Sequence, residues 1–367
     1  MKHIFEKTVI NGMVLKNRLV RSATWEGMCT EDGSPTDRLM TCYRDLARGG
    51  VGLIVTGYAH VRADGRQLAG AMGIHTDERI DALQRLTKAV HVEGGTIAVQ
   101  LVHTGGKADT TGLNHLPWTP SGIRNDLCPE PSAAMTRDDI AALVSAFAAA
   151  ARRAKASGFD AVQLHAAHGY LINQFLSPLS NQRTDDYGGS IENRQRFLME
   201  VHAAVRQTVG PNYPVLIKLN GDDFLAGGLT LAEAMIAAEK LAAAGIDAIE
   251  VSGGTAASGK QTPVRGRAGS LAEEGYHRDL ARKIKAVARC PILVVGGFRT
   301  LELLEQTLQS GDADYIALAR PFIREPDLAN RWQRGDRSPS TCQSCNGCFK
   351  PGLKEGGIYC VKKKEQE

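Results

Sequence analysis

Pro214-Val215-Leu216-Ile217-Lys218-Leu219-Asn220, then Leu231–Ala244, then Ala248-Ile249-Glu250-Val251-Ser252: an apolar run, a segment of helical composition and a second apolar run succeed one another. Thr230 stands before the middle segment with Glu233 three residues on, the pattern of a capping box, and Gly245 supplies its stop. The flanking runs are too continuously apolar for strands with one wetted face. They predict parallel strands buried on both faces and joined by a helical crossover.

Outward from this unit the pattern repeats. Strands are predicted over Leu19–Trp25, Gly52–Ala59, Thr96–His103, Ala161–His165, Pro291–Gly297 and Tyr315–Arg320, with helical segments including Asp77–Glu93, Thr136–Ser157 and Ile191–Val209. Eight strand–helix units in alternation predict an α/β chain, and closure into a (β/α)8 TIM barrel leaves no sheet edge exposed. An open doubly wound nucleotide-binding sheet wants a Gly-rich turn after its first strand. Here Glu26-Gly27-Met28-Cys29 follows, with no G-x-G-x-x-G. The expectation is a single barrel domain over residues 1–335, with a short cysteine-rich segment, 336–367, packed on it or extending from it.

The net charge of +4 is scattered along the 367 residues, so no basic face for nucleic acid is expected. The charged N-terminus, Met1-Lys2-His3-Ile4-Phe5-Glu6-Lys7, does not read as a secretory signal, and no run approaches the roughly 18 apolar residues of a membrane span. A cytoplasmic protein with a small-molecule substrate is expected, without nucleic-acid or membrane partners; homo-oligomerisation is left open. The eight cysteines agree with thiols or metal ligands.

Barrel chemistry sits on the loops after the strands. Two of these are long, Thr104–Met135, and Gly253–Gly275 with Lys260, Arg265 and Arg267. They read as lids or binding loops, or as tolerated insertions. The fourth strand runs into His165-Ala166-Ala167-His168-Gly169-Tyr170. Positions i and i+3 of a straight strand face opposite sides, so the strand must end near His165, with His168 and Tyr170 in the loop above the barrel mouth. Two neutral imidazoles can donate to one oxygen gaining negative charge, and a phenol can act as a general acid. The other readings are core histidines satisfied by backbone, and a metal site, which would lack carboxylate ligands in this loop.

The run from His165 to Pro178, H-A-A-H-G-Y-L-I-N-Q-F-L-S-P, continues with N-x-R-T-D-x-Y-G-G-S-x-E-N-R from Asn181 to Arg194. It closely resembles the signature of the Old Yellow Enzyme family, NADH:flavin oxidoreductases that include the xenobiotic reductases, 2,4-dienoyl-CoA reductases and trimethylamine dehydrogenase. Leu15–Val20, Val51–Gly57, Gln100–Gly105, Val294–Phe298 and Asp314–Pro321 resemble further family segments in family order, so the likeness covers essentially the whole chain.

The resemblance implies non-covalent FMN across the barrel mouth. Ser22, Ala23 and Thr24 would pack against the isoalloxazine, Gly57 would let it approach, and Gln100 would bond its pyrimidine edge. His165 would also touch the flavin. Lys218 stands where the family usually has Arg, keeping the charge but losing the planar fork. Gly296, Gly297, Ala319 and Arg320 would hold the phosphate. Trp25 occupies the position where the family often has Thr or Cys; it would either point away, leaving Thr24 to serve, or narrow the substrate pocket beside Tyr170.

Cys342-x2-Cys345-x2-Cys348-x11-Cys360 resembles the cluster-binding segment of the dienoyl-CoA reductase branch, with the second gap one residue short. Those relatives continue into further redox domains, whereas this sequence stops at Glu367. An iron–sulfur cluster, structural zinc and metal-free thiols all stay open. The implied activity is ping-pong reduction of activated alkenes such as α,β-unsaturated carbonyl compounds. NADH or NADPH reduces FMN, then hydride passes to the β-carbon while His165 and His168 hold the carbonyl oxygen and Tyr170 protonates the α-carbon. An FMN-dependent dehydrogenase or demethylase of the trimethylamine dehydrogenase kind is the alternative, and a non-redox phosphate-binding lyase or isomerase is the remote one.

Overall fold

The computed structural model describes residues 2–266 and 271–365; Arg267 lies outside them. Eight parallel strands form the barrel: β1 (Leu19–Arg21), β2 (Leu53–His60), β3 (Ile97–Val102), β4 (Ala161–Ala166), β5 (Val215–Asn220), β6 (Ala248–Ser252), β7 (Ile292–Val295) and β8 (Tyr315–Leu318). Each pairs with its sequence neighbours, and β8 pairs back onto β1, so the sheet closes. The crossovers carry α1 (Asp37–Arg48), α2 (Ile80–His91), α3 (Arg137–Ala156), α4 (Arg196–Val209), α5 (Leu231–Ala243), α6 (Arg278–Val287) and α7 (Leu301–Gln309), and α8 (Leu328–Gln333) follows β8. Capping boxes start α3 at Thr136–Asp139 and α5 at Thr230–Glu233, each cap being worth about 1 kcal/mol.

Alternation along the strands sorts the core into two. Val162, Leu164, Ile217, Leu219, Ile249 and Val251 pack outward with the helices. Ala161, Leu216, Ala248, Leu293 and Tyr315 point into the barrel and form a separate apolar cluster at its lower end. Ile10, Met13 and Leu15 join that cluster from an antiparallel hairpin, Thr8–Ile10 with Met13–Leu15, which plugs the bottom. One layer higher the inward positions turn polar: Gln163 on β4, Lys218 on β5 and Glu250 on β6. The barrel is thus sealed by apolar residues below and polar above.

Several boundaries differ from the sequence expectation. β1 ends at Arg21, and Ser22–Trp25 leave the ladder to edge the mouth. The segment Ile191–Val209 divides into Ile191–Arg194 and α4. The long loop after β3 contains a two-residue ladder between Trp118–Thr119 and Ala133–Ala134.

The segment after 335 packs on the barrel. Arg38 of α1 donates to the carbonyls of Glu355 and Gly356 at 3.0 and 3.1 Å, and the Ile358 amide donates to the Glu26 carbonyl at 2.8 Å. No helix among the described residues is long and apolar enough to cross a membrane.

Candidate active site

A cavity of about 300 Å³ opens at the C-terminal ends of the strands. Ser22, Ala23, Thr24 and Trp25 edge it from the chain after β1, Gln100 and Lys218 from below, and His165, His168 and Tyr170 from β4 and its loop. Gly297, Ala319 and Arg320 lie at the ends of β7 and β8. The structure therefore gathers most of the residues singled out in the sequence around one space.

Gly57 and Gly296 are placed differently. Gly57 lies within β2, at a one-residue bulge between Val55 and Tyr58, and does not line the cavity. A Cβ there would stand 2.2 Å from a Glu26 carboxylate oxygen, so the missing side chain makes room for Glu26. That carboxylate takes Tyr43 Oη at 2.6 Å and the Arg21 guanidinium at 2.5 Å, a buried pair behind the cavity wall. Gly296 is one residue too deep to reach the cavity, and its carbonyl accepts from the Tyr276 amide.

The His165 ring stands edge-on to both His168 and Tyr170, with centroids 5.2 and 4.8 Å away. The Ala167 amide donates to His165 Nδ1 at 3.3 Å, which leaves the proton on Nε2. Burial, reinforced by the charges of Lys218 and Lys107, holds the His165 pKa well below its ordinary value. Burial and the neighbouring His165 do the same for His168. Both rings are neutral hydrogen-bond donors at physiological pH. Burial also raises the Tyr170 phenol, so it keeps its proton; it donates to Gln67 Oε1 at 2.9 Å.

His168 adopts φ = 63°, a left-handed backbone that a non-glycine residue takes only when its surroundings enforce it. The enforcing contacts come from residues the sequence reading passed over. Asn220 Oδ1 accepts from the His168 amide at 3.2 Å, Lys107 Nζ donates to its carbonyl at 2.8 Å, and Ser252 Oγ meets its Nε2 at 2.8 Å.

Ser344, Phe349 and Leu353 of the C-terminal segment form part of the cavity wall, and the Trp25 ring packs against Gly352 while its indole N–H donates to the Ala69 carbonyl. Trp25 thus both faces the cavity and anchors the tail. Cys342, Cys345, Cys348 and Cys360 line one small neighbouring cavity, which shares Arg320 with the larger one. Arg324 Nη1 lies 3.5 Å from Cys360 Sγ. Among the described residues, no three His, Cys, Asp or Glu groups converge closely enough for a single metal ion.

The NADH:flavin oxidoreductase / NADH oxidase family model matches residues 3–338. The chain belongs to this family. It is 37% identical over 348 residues to a metal reductase of Desulforamulus reducens, covering 95% of this chain and 51% of that protein. Among solved structures, 2-naphthoyl-CoA reductase in complex with 2-naphthoyl-CoA superposes with a TM-score of 0.90 at 29% identity, over 97% of this chain and 56% of that one. An old yellow enzyme homologue from Zymomonas mobilis gives 0.77 at 27%, over 95% and 98%. The chain thus spans about half the length of the first two and nearly all of the third.

The cofactor that membership of this family implies is FMN, and the cavity's donor set fits it. Gln100 and Lys218 line it with an amide and a cation that would suit a pyrimidine edge. Gly297 has φ = 73°, where a Cβ would be strained and would stand 2.6 Å from the Tyr276 ring, and Arg320 lines the same cavity with a guanidinium that would suit a phosphate.

Proposed function

We propose that this flavin oxidoreductase uses NADH or NADPH to reduce activated alkenes, with residues 1–335 as the flavin barrel and 336–367 as a cysteine-rich tail completing its pocket. Bound FMN would supply the two-electron exchange between dinucleotide and alkene. His165 Nε2–H donates to the substrate carbonyl, and so does His168 in the tautomer whose Nε2 accepts from Ser252 Oγ and whose Nδ1 carries the proton, drawing electron density from the β-carbon. Ser22–Thr24 and Gln100 hold the cofactor's ring, and Tyr170 releases its proton to the α-carbon. The net change is one hydride and one proton added across C=C as NAD(P)H becomes NAD(P)+. The observation that carries this reading is the pair of neutral imidazoles beside a protonated, buried phenol in one cavity. Purified protein is expected to be yellow, to release FMN on denaturation and to oxidise NAD(P)H when an enone is added. Release of FAD, or no uptake of added FMN, overturns the proposal; FMN retention without enone turnover moves it to the dehydrogenase reading.

The second reading is FMN-dependent oxidation of an amine with electrons leaving one at a time, and a metal cluster held in the cysteine cavity would favour it. Four cysteines lining one small cavity form an all-thiol, soft donor set, the kind that takes an iron–sulfur cluster or zinc. Protein prepared anaerobically is expected to carry about four irons per chain. Full flavin content with neither iron nor zinc would leave these residues as free thiols.

A further inference from the structure

Two polar side chains inside the barrel, Gln163 and Glu250, are not explained by substrate chemistry, because they do not reach the cavity. Both are fully buried at mid-strand, in Ala161–Ala166 and Ala248–Ser252, with apolar residues on either side. Gln100 Nε2 donates to Gln163 Oε1 at 2.8 Å, and Gln163 Nε2 donates to Glu250 Oε2 at 2.8 Å. The other carboxylate oxygen, Oε1, accepts from Ser22 Oγ at 2.6 Å and lies 3.1 Å from Lys218 Nζ, which itself donates to Ser22 Oγ at 2.8 Å.

An amide's two ends are usually interchangeable, but a carboxylate can only accept. Glu250 therefore forces Gln163 to turn its NH2 inward and its oxygen toward Gln100. Gln100 must then spend its NH2 on Gln163, which leaves its Oε1 as the group facing the cavity. Through the other oxygen, Glu250 holds Lys218 under the cavity and offsets its charge at short range, where low dielectric makes the offset large.

We propose that Glu250 is a positioning residue that sets both polar contacts of the flavin's pyrimidine edge: through Gln163 it makes Gln100 an acceptor for a ring N–H, and through its ion pair it moderates the cation that Lys218 presents to the reduced, anionic ring. The proposal rests on the FMN reading above and adds a residue that tunes the cofactor without touching it. The family-like Arg position holds Lys here, and a lysine lacks the guanidinium fork that fixes its own orientation, so it needs such an anchor.

The test is the two-electron midpoint potential of bound FMN, with oxidised-FMN affinity measured alongside. In Glu250→Gln the shape is kept and the negative charge lost, so Lys218 acts unopposed. Reduced over oxidised FMN is expected to gain at least tenfold, a rise of about 30 mV for a two-electron couple. Lys218→Met leaves the carboxylate unopposed and is expected to lower the potential. It remains informative if the first variant fails to fold. FMN carrying a methyl group on the pyrimidine N–H is expected to bind the native protein more weakly than FMN, and to lose less relative to FMN in Glu250→Gln, where the amide chain is free to reverse. Native protein that holds FMN while both variants keep its potential overturns this proposal alone; native protein that takes up no FMN overturns it together with the functional reading.

Discussion

Replacing Tyr170 by Phe is expected to slow enone reduction by about 10²–10⁴-fold, the usual size of general acid catalysis, and to leave the rate at which NAD(P)H bleaches the yellow colour nearly intact. The asymmetry follows from where the phenol acts. Its proton is needed only when the α-carbon of the alkene becomes basic, and oxidation of a dinucleotide calls for no such donor. Burial raises the Tyr170 pKa, so the protonated form persists through neutral and moderately alkaline pH, and the native enzyme loses no proton donor across that range. The ring itself is held by edge contacts to His165 and Tyr58, which Phe retains, so the substitution removes one hydroxyl and its bond to Gln67 without opening the pocket. Rapid mixing separates the two half-reactions. Slower bleaching with unchanged reoxidation by an enone would show that the donor has been misassigned.

The histidines and this tyrosine were legible in the sequence because they are polar residues at the end of an apolar strand, where a barrel puts its chemistry. Glu250 and Gln163 carried a similar signal, a polar residue between apolar neighbours in the middle of AIEVS and AVQLH. Their partnership depends on closure, which brings β4 within reach of β6 across the interior, and no one-dimensional pattern encodes that. Helices with strong caps were placed to within a residue, as with α5, since Thr230 and Glu233 fix the start locally. β1 was read too long, because Ser22–Thr24 look no less strand-like than Leu19–Arg21 until the cavity requires them outside the ladder. The plugging hairpin has only three residues per strand, too few for a period to show. Phe349 and Leu353 were out of reach for a different reason: a tail's contribution depends on where it folds back, and here that is set by Arg38 and Glu26, some three hundred residues earlier in the chain.

Arg320→Ala is expected to weaken FMN binding by about 10- to 150-fold, the equivalent of one charge-assisted hydrogen bond of about 1.5–3 kcal/mol. The geometry supports a phosphate contact and also complicates it. Nη1 of Arg320 is already engaged, donating to the carbonyls of Arg265 at 2.8 Å and Ser344 at 3.1 Å and to Asn346 Oδ1 at 2.6 Å. Those bonds tie the loop after β6 and the cysteine segment to the end of β8, and they orient the guanidinium so that its other N–H groups remain for a ligand. Removing the side chain therefore takes away a charge and also loosens part of the cavity wall. Riboflavin separates the two effects, since it carries the same ring without the phosphate. If the charge matters most, FMN loses affinity and riboflavin does not, so the preference for FMN collapses. If the wall matters most, both lose alike and the preference survives. Arg320→Lys adds a third reading, keeping the charge without the planar fork, and is expected to recover part of the FMN preference while leaving the tail contacts incomplete. An unchanged FMN affinity in a folded Arg320→Ala protein would place the phosphate elsewhere, with Arg265, stacked on the Tyr276 ring at 4.4 Å beside the same cavity, as the next cation to remove.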